Sequence, residues 1–333
     1  MKIGIIGGGS WGVTLADILA NNGKEVMIYD RKPEKVDVIN QKHLNPHFLD
    51  YKVNEEVKAS NSLKEVYQSA EAIVLAIPSG AIRTVLKEIN QLNINEKKLF
   101  INVAKGIEPD TLYTIEEVFN SEIKPELVKG YVTLSGPSLA KDVMDKKITL
   151  VIAASKNIED ANTVQLLFSN QEYFRVYTSD DLKGVELGGS VKNAIALISG
   201  ILDGLDLGEN ARAALICRGL EELKKILLAY GGKPETLFGL SGLGDLIVTS
   251  VSLKSRNFRA GLEVAKGRKI DDIIASSIEV IEGPRTLTSC YQIGQVKNLD
   301  LPIINTCYDV LYNNKDAKYA VSMLMKRDLK REI

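Results

Sequence analysis

The chain has 333 residues, 45% of them apolar and 26% charged, with 42 basic residues against 43 acidic ones. That length exceeds what one hydrophobic core usually serves and predicts two domains. The charge balance argues against a nucleic-acid or anionic-membrane surface, so an anion would have to be caught by a local cluster.

Short β-branched runs open the chain and alternate with helical patterns: KIGII at 2–6, EVMIYD at 25–30, AIVLAI at 72–77, KLFINVA at 98–104, YVTLSG at 131–136 and ITLVIAA at 148–154. Between the first two lies SWGVTLADILANNG, which begins on a serine suited to an N-cap and stops at a glycine. Strands alternating with helices predict βαβ units, here an α/β, Rossmann-like, doubly wound and mostly parallel sheet covered on both faces. From about residue 184 the β signal ends. NARAALICRGLEELKKILLAYGG predicts a long amphipathic helix ending at Gly231, and KIDDIIAS, TSCYQIGQVKN and LPIINTCYDVLYNN continue at helical spacing. The expected organisation is a Rossmann-like domain over 1–183 and an all-helical domain over 184–333.

No stretch reaches the roughly 18 to 20 uninterrupted apolar residues of a membrane span, and MKIGIIGGG lacks a secretory cleavage pattern. Membrane insertion is not expected. Cys217, Cys290 and Cys307 stand far apart without zinc or redox spacing, which fits a reducing cytoplasm. His43 and His47 flank Pro46, which would disturb a helical metal pair, so no metal is expected there. With no histidine beyond them, acid–base chemistry in most of the chain falls to another group, lysine first.

GGGSWG sets Gly7, Gly9 and Gly12 in G-x-G-x-x-G spacing between an expected strand and an expected helix. The first glycine permits the tight turn, the second lets the backbone approach a pyrophosphate, and the third allows close helix packing. The helix N-terminus then faces the anion. Asp30 ends the second strand, where a carboxylate accepts hydrogen bonds from an adenosine ribose. Arg31 and Lys32 follow at once and suit a 2′-phosphate instead, so the sequence points both ways on NAD and NADP. A solvated turn is the plain alternative for the two basic residues.

In open α/β sheets ligands lie beyond the carboxyl ends of the strands. Lys105 follows KLFINVA, and in SGPSLA the strand ends at Ser135 before Gly136, Pro137 and Ser138, with the proline suited to a first helical position. The N–H groups of that turn suit an anion or a carboxamide, and an ordinary strand-to-helix turn reads equally well. In the second half, GVELGGSVKNAIALISG at 184–200 isolates Lys192 among apolar and small residues. Its helical neighbours Gly188, Gly189, Ile195 and Ala196 cannot neutralise it. Such a lysine snorkels to water, pairs with a distant carboxylate, or has a lowered pKa and a use for it. LSGLGDLIVTS places Asp245 in a glycine-spaced turn at an expected helix start, where an N-cap is the plain alternative. SRNFRAG offers Ser255, Arg256 and Asn257, and an arginine grips phosphate bidentately, although a surface charge cluster looks the same.

GGGSWG, AKGIE, SGPSLA, GVELGGSVKNAIA, LDLGENARAALICRGL, LSGLGDLIVTS, SRNFRAG and IEGPRT, in this order and from end to end, resemble the NAD(P)-dependent glycerol-3-phosphate dehydrogenase family. The resemblance implies reversible hydride transfer between NAD or NADP and C2 of sn-glycerol 3-phosphate, with dihydroxyacetone phosphate as the ketone, supplying a precursor of phospholipids. It implies that Lys192 is the general acid–base, that Asn193 touches substrate, and that Asp245 is the carboxylate near the reacting hydroxyl. It makes Lys105 a contact to substrate and nicotinamide, and Gly136 and Ser138 the substrate-binding turn. Ser255, Arg256 and Asn257 resemble the phosphate-binding group, with Arg256 also touching cofactor. Ser10, Trp11, Arg31, Lys32, Ala140, Val280 and Glu282 match cofactor contacts. The chain departs from the family pattern at Ala104, Leu139 and Pro284, which bears on the geometry near the nicotinamide.

Two other readings stay open on the sequence. A two-domain reductase of 2-hydroxy or 2-keto acids also combines a glycine fingerprint with a Lys–Asn pair, but it needs a carboxylate anchor where SRN and GLGDL favour a phosphate ester. A nucleotide sensor would keep the fold without turnover, yet it has no need of Lys105, Lys192 and Asp245. The expected partner is a small phosphate ester, with a homodimer of the chain left open.

Overall fold

The computed structural model describes residues 1–329, 331 and 332. The chain divides into two compact units, Met1–Lys105 with Tyr113–Glu186, and Gly106–Leu112 with the chain from Leu187 onward.

The first unit is built on strands β1 (Lys2–Ile6), β2 (Glu25–Tyr29), β3 (Leu44–Asn45), β4 (Phe48–Lys52), β5 (Lys58–Ser60), β6 (Ala72–Leu75), β7 (Lys98–Asn102), β8 (Val128–Ser135), β9 (Thr149–Ala154) and β10 (Phe174–Ser179). β3 and β4 pair with each other, and the other eight form one sheet in the order β10-β9-β8-β7-β6-β1-β2-β5. Every neighbouring pair in it is parallel except β8 and β9. The sheet is Rossmann-like, and β1 is where the strand order reverses: β2 lies on one side of it and β6 on the other.

Successive residues of a strand face opposite sides, so a sheet covered twice needs apolar residues at every position. β1 meets that demand from Ile3 onward. Ile5 enters a core with Val13, Leu15 and Leu19, while Ile6 enters a second one with Tyr67, Phe100 and Phe119. The strands absent from the sequence reading are β3 and β5, two and three residues long, β4, which has no buried residue, and β10, whose FRVYTS alternates buried and exposed residues.

The second unit is helical, with Leu182–Gly204 and Gly208–Ala229 its longest elements. The division between the units falls inside the first of these, after Glu186. Leu182–Gly204 is long and apolar enough to cross a membrane, alone in this among the described residues, but 94% of the qualifying window is buried in the protein. It is a core helix. Gly231, at φ +79°, follows the second, where a left-handed residue ends a helix. The helix Arg256–Ala265 packs main chain to main chain on Leu182–Gly204: a Cβ on Gly200 would lie 2.0 Å from the Phe258 carbonyl oxygen, and one on Gly261 would lie 2.1 Å from that of Leu197.

Candidate active site

In the first unit the glycine turn follows β1 at the point where the strand order reverses, the position at which open α/β sheets hold ligands. Gly7 has φ +118°, and a Cβ there would lie 2.3 Å from the Ala76 carbonyl oxygen; one on Gly12 would lie 2.0 Å from that of Gly7. At Gly9 a Cβ would meet nothing within 4 Å. The helix Ser10–Asn21 takes Gly9, not Ser10, as its N-cap, and no side chain caps it. This corrects the expected serine cap and leaves the first-turn N–H groups to an anion. Open space at Gly9 before an uncapped helix start fits a dinucleotide pyrophosphate. Ser10 and Trp11 open that helix, Trp11 packing on the core.

Asp30 stands one residue beyond β2, beside this turn: its Oδ2 would lie 2.6 Å from a Cβ on Gly8. Its Oδ1 accepts from the Lys32 backbone N–H at 2.9 Å. The Arg31 and Lys32 side chains are exposed, whereas Lys35 lies 3.7 Å from Asp30 Oδ2 and 2.9 Å from His47 Nε2. Lys35 was not singled out in the sequence. Its place one helical turn after Lys32 is the signal that was there to read.

Lys105 and the SGPSLA turn come together. Lys105 Nζ donates to the Gly136 carbonyl at 3.0 Å, and Ser138 Oγ donates to the same oxygen at 3.2 Å. Pro137 is not a first helical residue: the turn runs on, Leu139 caps, and Ala140 begins a short helix ending at Met144. Ser135 is buried with no hydrogen-bond partner for its hydroxyl.

In the second unit the isolated lysine has its partner. Lys192, 7% exposed, donates from Nζ to Asp245 Oδ1 and to Thr249 Oγ1, each at 2.7 Å. Asp245 and Thr249 lie four residues apart on the helix Asp245–Ser250, and Thr249 donates its hydroxyl to the Asp245 carbonyl at 2.6 Å. Asp245 is thus no N-cap. The π-helical turn Leu240–Gly244 runs directly into its helix, and Gly188 admits this turn, since a Cβ there would lie 2.7 Å from the Ser241 carbonyl oxygen. Thr249 was missed in the sequence, although its spacing from Asp245 puts both on one helical face.

Asn193 is tied to the expected phosphate group. Its Oδ1 accepts from Asn257 Nδ2 at 2.9 Å, and Asn257 Oδ1 accepts from the Gly283 N–H at 2.8 Å. Ser255 is the N-cap of the helix Arg256–Ala265, accepting from the Phe258 N–H at 3.2 Å. Arg256 Nη1 donates to the Val280 carbonyl at 2.9 Å. Glu282 precedes the helix Gly283–Val296, and Pro284 stands in its first turn, where a missing N–H costs no hydrogen bond.

Two family models cover this chain, the NAD-dependent glycerol-3-phosphate dehydrogenase N-terminus over residues 2–161 and the C-terminus over 181–322. The chain belongs to that family. It is 48% identical over its whole length to glycerol-3-phosphate dehydrogenase [NAD(P)+] of Acholeplasma laidlawii, covering 99% of that protein. The counterpart from Enterococcus faecalis is 43% identical, with 99% of this chain and 97% of the other aligned. Among solved structures, glycerol-3-phosphate dehydrogenase of Coxiella burnetii superposes with a TM-score of 0.91 at 35% identity, over 98% of this chain and 99% of the other. Family membership displaces the keto-acid reductase reading.

Proposed function

We propose that the chain interconverts sn-glycerol 3-phosphate and dihydroxyacetone phosphate by hydride transfer with NAD or NADP. The observation that carries this reading is the buried Lys192–Asp245–Thr249 cluster, linked through Asn193 and Asn257 to Arg256 at a helix start, in a unit whose sequence matches the family's C-terminal domain.

In the reducing direction the Lys192 ammonium donates to the C2 oxygen as charge develops there, then transfers its proton. In the oxidising direction the neutral amine accepts the hydroxyl proton. Asp245 and Thr249 hold Nζ in place, and the Asp245 carboxylate balances its charge. Arg256, with Ser255 and Asn257, holds the phosphate, a dianion suited to a guanidinium and to helix N–H groups. Lys105, whose Nζ is bonded to the Gly136 carbonyl, matches the family's contact to substrate and nicotinamide. The bound nicotinamide supplies or accepts the hydride. Gly7, Gly9 and Gly12 would hold its pyrophosphate and Asp30, Arg31 and Lys32 its adenosine ribose, and Ser10, Trp11, Ala140, Val280 and Glu282 match further cofactor contacts of the family. The product serves phospholipid synthesis in the cytoplasm.

Following NADH and NADPH absorbance with dihydroxyacetone phosphate, and separately with ketopantoate, tests the proposal. Oxidation with the phosphate ester is expected. Oxidation with ketopantoate alone would reassign the substrate, and oxidation with neither would end the assignment of turnover.

A further inference from the structure

We propose that Asn102, Thr133 and Glu186 form a positioning chain that sets the conformation from which Lys105 acts, an inference that rests on the substrate-binding role proposed for Lys105. Asn102 closes β7 and is fully buried. Its Oδ1 accepts from the Ala104 N–H at 2.9 Å, and its Nδ2 donates to the Ala104 carbonyl at 3.2 Å. One side chain thereby pins both main-chain polar groups of the residue immediately before Lys105, closing the turn that a short amide favours.

The amide is itself held. Asn102 Nδ2 also donates to Thr133 Oγ1 at 3.3 Å, opposite it in the β7 to β8 register. Thr133 has one hydroxyl hydrogen and two acceptors for it, Glu186 Oε1 at 2.8 Å and Tyr131 Oη at 3.5 Å, of which the carboxylate is nearer and charged. Glu186 accepts in addition from Tyr131 Oη at 2.8 Å and, through Oε2, from the Glu116 N–H at 3.1 Å. With its hydrogen committed to Glu186, Thr133 is left as an acceptor toward Asn102, which fixes which end of the amide faces β8 and which faces the Ala104 N–H. The far end of Lys105 meets the same strand, since Gly136 follows the last residue of β8.

The neighbours of Asn102 along β7, Phe100 and Ile101, are fully buried and apolar. An apolar residue at 102 would fill this interior without needing partners, whereas a buried amide has to be satisfied in full or it destabilises the fold. Here the satisfied amide directs its bonds at the residue before Lys105.

The test is a double-variant cycle in steady-state kinetics with dihydroxyacetone phosphate and each of NADH and NADPH. Asn102→Ala, Lys105→Ala and their combination are compared, with Thr133→Val, Thr133→Ser and Ser155→Ala beside them. Ser155, whose hydroxyl donates to the Tyr131 carbonyl at 2.7 Å, controls for loss of a buried hydrogen bond in the same sheet. Asn102→Ala and Thr133→Val are expected to lower kcat/KM by about ten- to a hundred-fold. Thr133→Ser, which keeps the hydroxyl, and Ser155→Ala are expected to stay within about threefold of wild type. In the Lys105→Ala background, Asn102→Ala should cost less than about twofold more, because coupled residues are not additive. An undiminished effect there, or an equal loss in Ser155→Ala, overturns the chain while leaving Lys105 its role. Full activity of Lys105→Ala overturns that role and the chain with it. If Asn102→Ala does not fold, Thr133→Val and Thr133→Ser in both backgrounds make the same comparison.

Discussion

Lys192 Nζ and Asp245 Oδ1 stand 2.7 Å apart with both side chains almost wholly buried. A buried ion pair adds little net stability, but removing one member strands the other at a cost of about 3–5 kcal/mol. Lys192→Ala should therefore do two separable things. It lowers kcat by about 10²- to 10⁴-fold through loss of the acid–base group, and it lowers the melting temperature through Asp245. The double variant Lys192→Ala, Asp245→Asn should regain melting temperature and not turnover, which calorimetry and kinetics on the same preparations would check. Near-wild-type kcat in Lys192→Ala removes the acid–base assignment.

Thr249 accepts from the same ammonium while donating to the Asp245 carbonyl. Thr249→Val keeps the shape and deletes the acceptor, leaving a hydrogen bond to a charged group unmade, about 1.5–3 kcal/mol. We expect kcat to fall by roughly tenfold or more, with Thr249→Ser close to wild type. Equal rates for the two variants would show that the hydroxyl does not hold Nζ.

Arg256→Ala should mainly raise KM for dihydroxyacetone phosphate, because a phosphate is held in ground state and transition state alike. Arg256→Lys keeps the charge and loses the forked geometry, so it should recover only part of the affinity. A fall in kcat at unchanged KM would place Arg256 in the chemical step instead.

Glu222 couples pH to stability. It is 3% exposed, and its Oε1 and Oε2 accept from the N–H groups of Ile303 and Ile304 at 2.7 and 3.0 Å, in the first turn of the helix Pro302–Tyr312. Burial nonetheless pushes its carboxyl up to about 7, the backbone bonds opposing this only in part. A raised carboxyl favours the fold most when protonated. The contribution is present in full below the ordinary carboxylate range and is lost as pH rises toward 7, by about 3 kcal/mol. Urea melts of wild type and Glu222→Gln between pH 5 and 8 should show wild type losing stability with rising pH and the variant losing less. Parallel profiles would refute the coupling.

Arg31→Ala is expected to raise KM for NADPH more than for NADH if its exposed side chain meets a 2′-phosphate. The comparison should include Lys35→Ala, whose amine lies beside the Asp30 carboxylate. Equal changes for both cofactors in both variants would leave ribose discrimination to other residues.

The sheet and the division into sheet and helices were legible because β1, β2 and β6 to β9 each carry a run of mostly apolar residues toward covered faces. β3 and β5 are too short to do so, and β4 and β10 are solvated along much of their length. In the site, Lys192 was legible as an anomaly, an ammonium with no compensating neighbour on its own helix. The compensating group lies 53 residues away, and no local pattern encodes such a pairing. Thr249 and Asn102 share the difficulty. Threonine in a helix and asparagine at a strand end are ordinary locally, and only the folded chain shows where their polar atoms go. Ser10 and Pro137 misled for the opposite reason, each matching a helix-start preference in a turn shaped by other needs.

The contact of Gly200 with Phe258 and of Gly261 with Leu197 acts as a ruler. One helix carries Lys192 and the other Arg256, the residues proposed above for the proton and the phosphate, and their separation is set by peptide groups, which do not change with rotamer or repacking. A side chain in place of either glycine would push the two helices apart, so the span between Lys192 and Arg256 is written into the main chain.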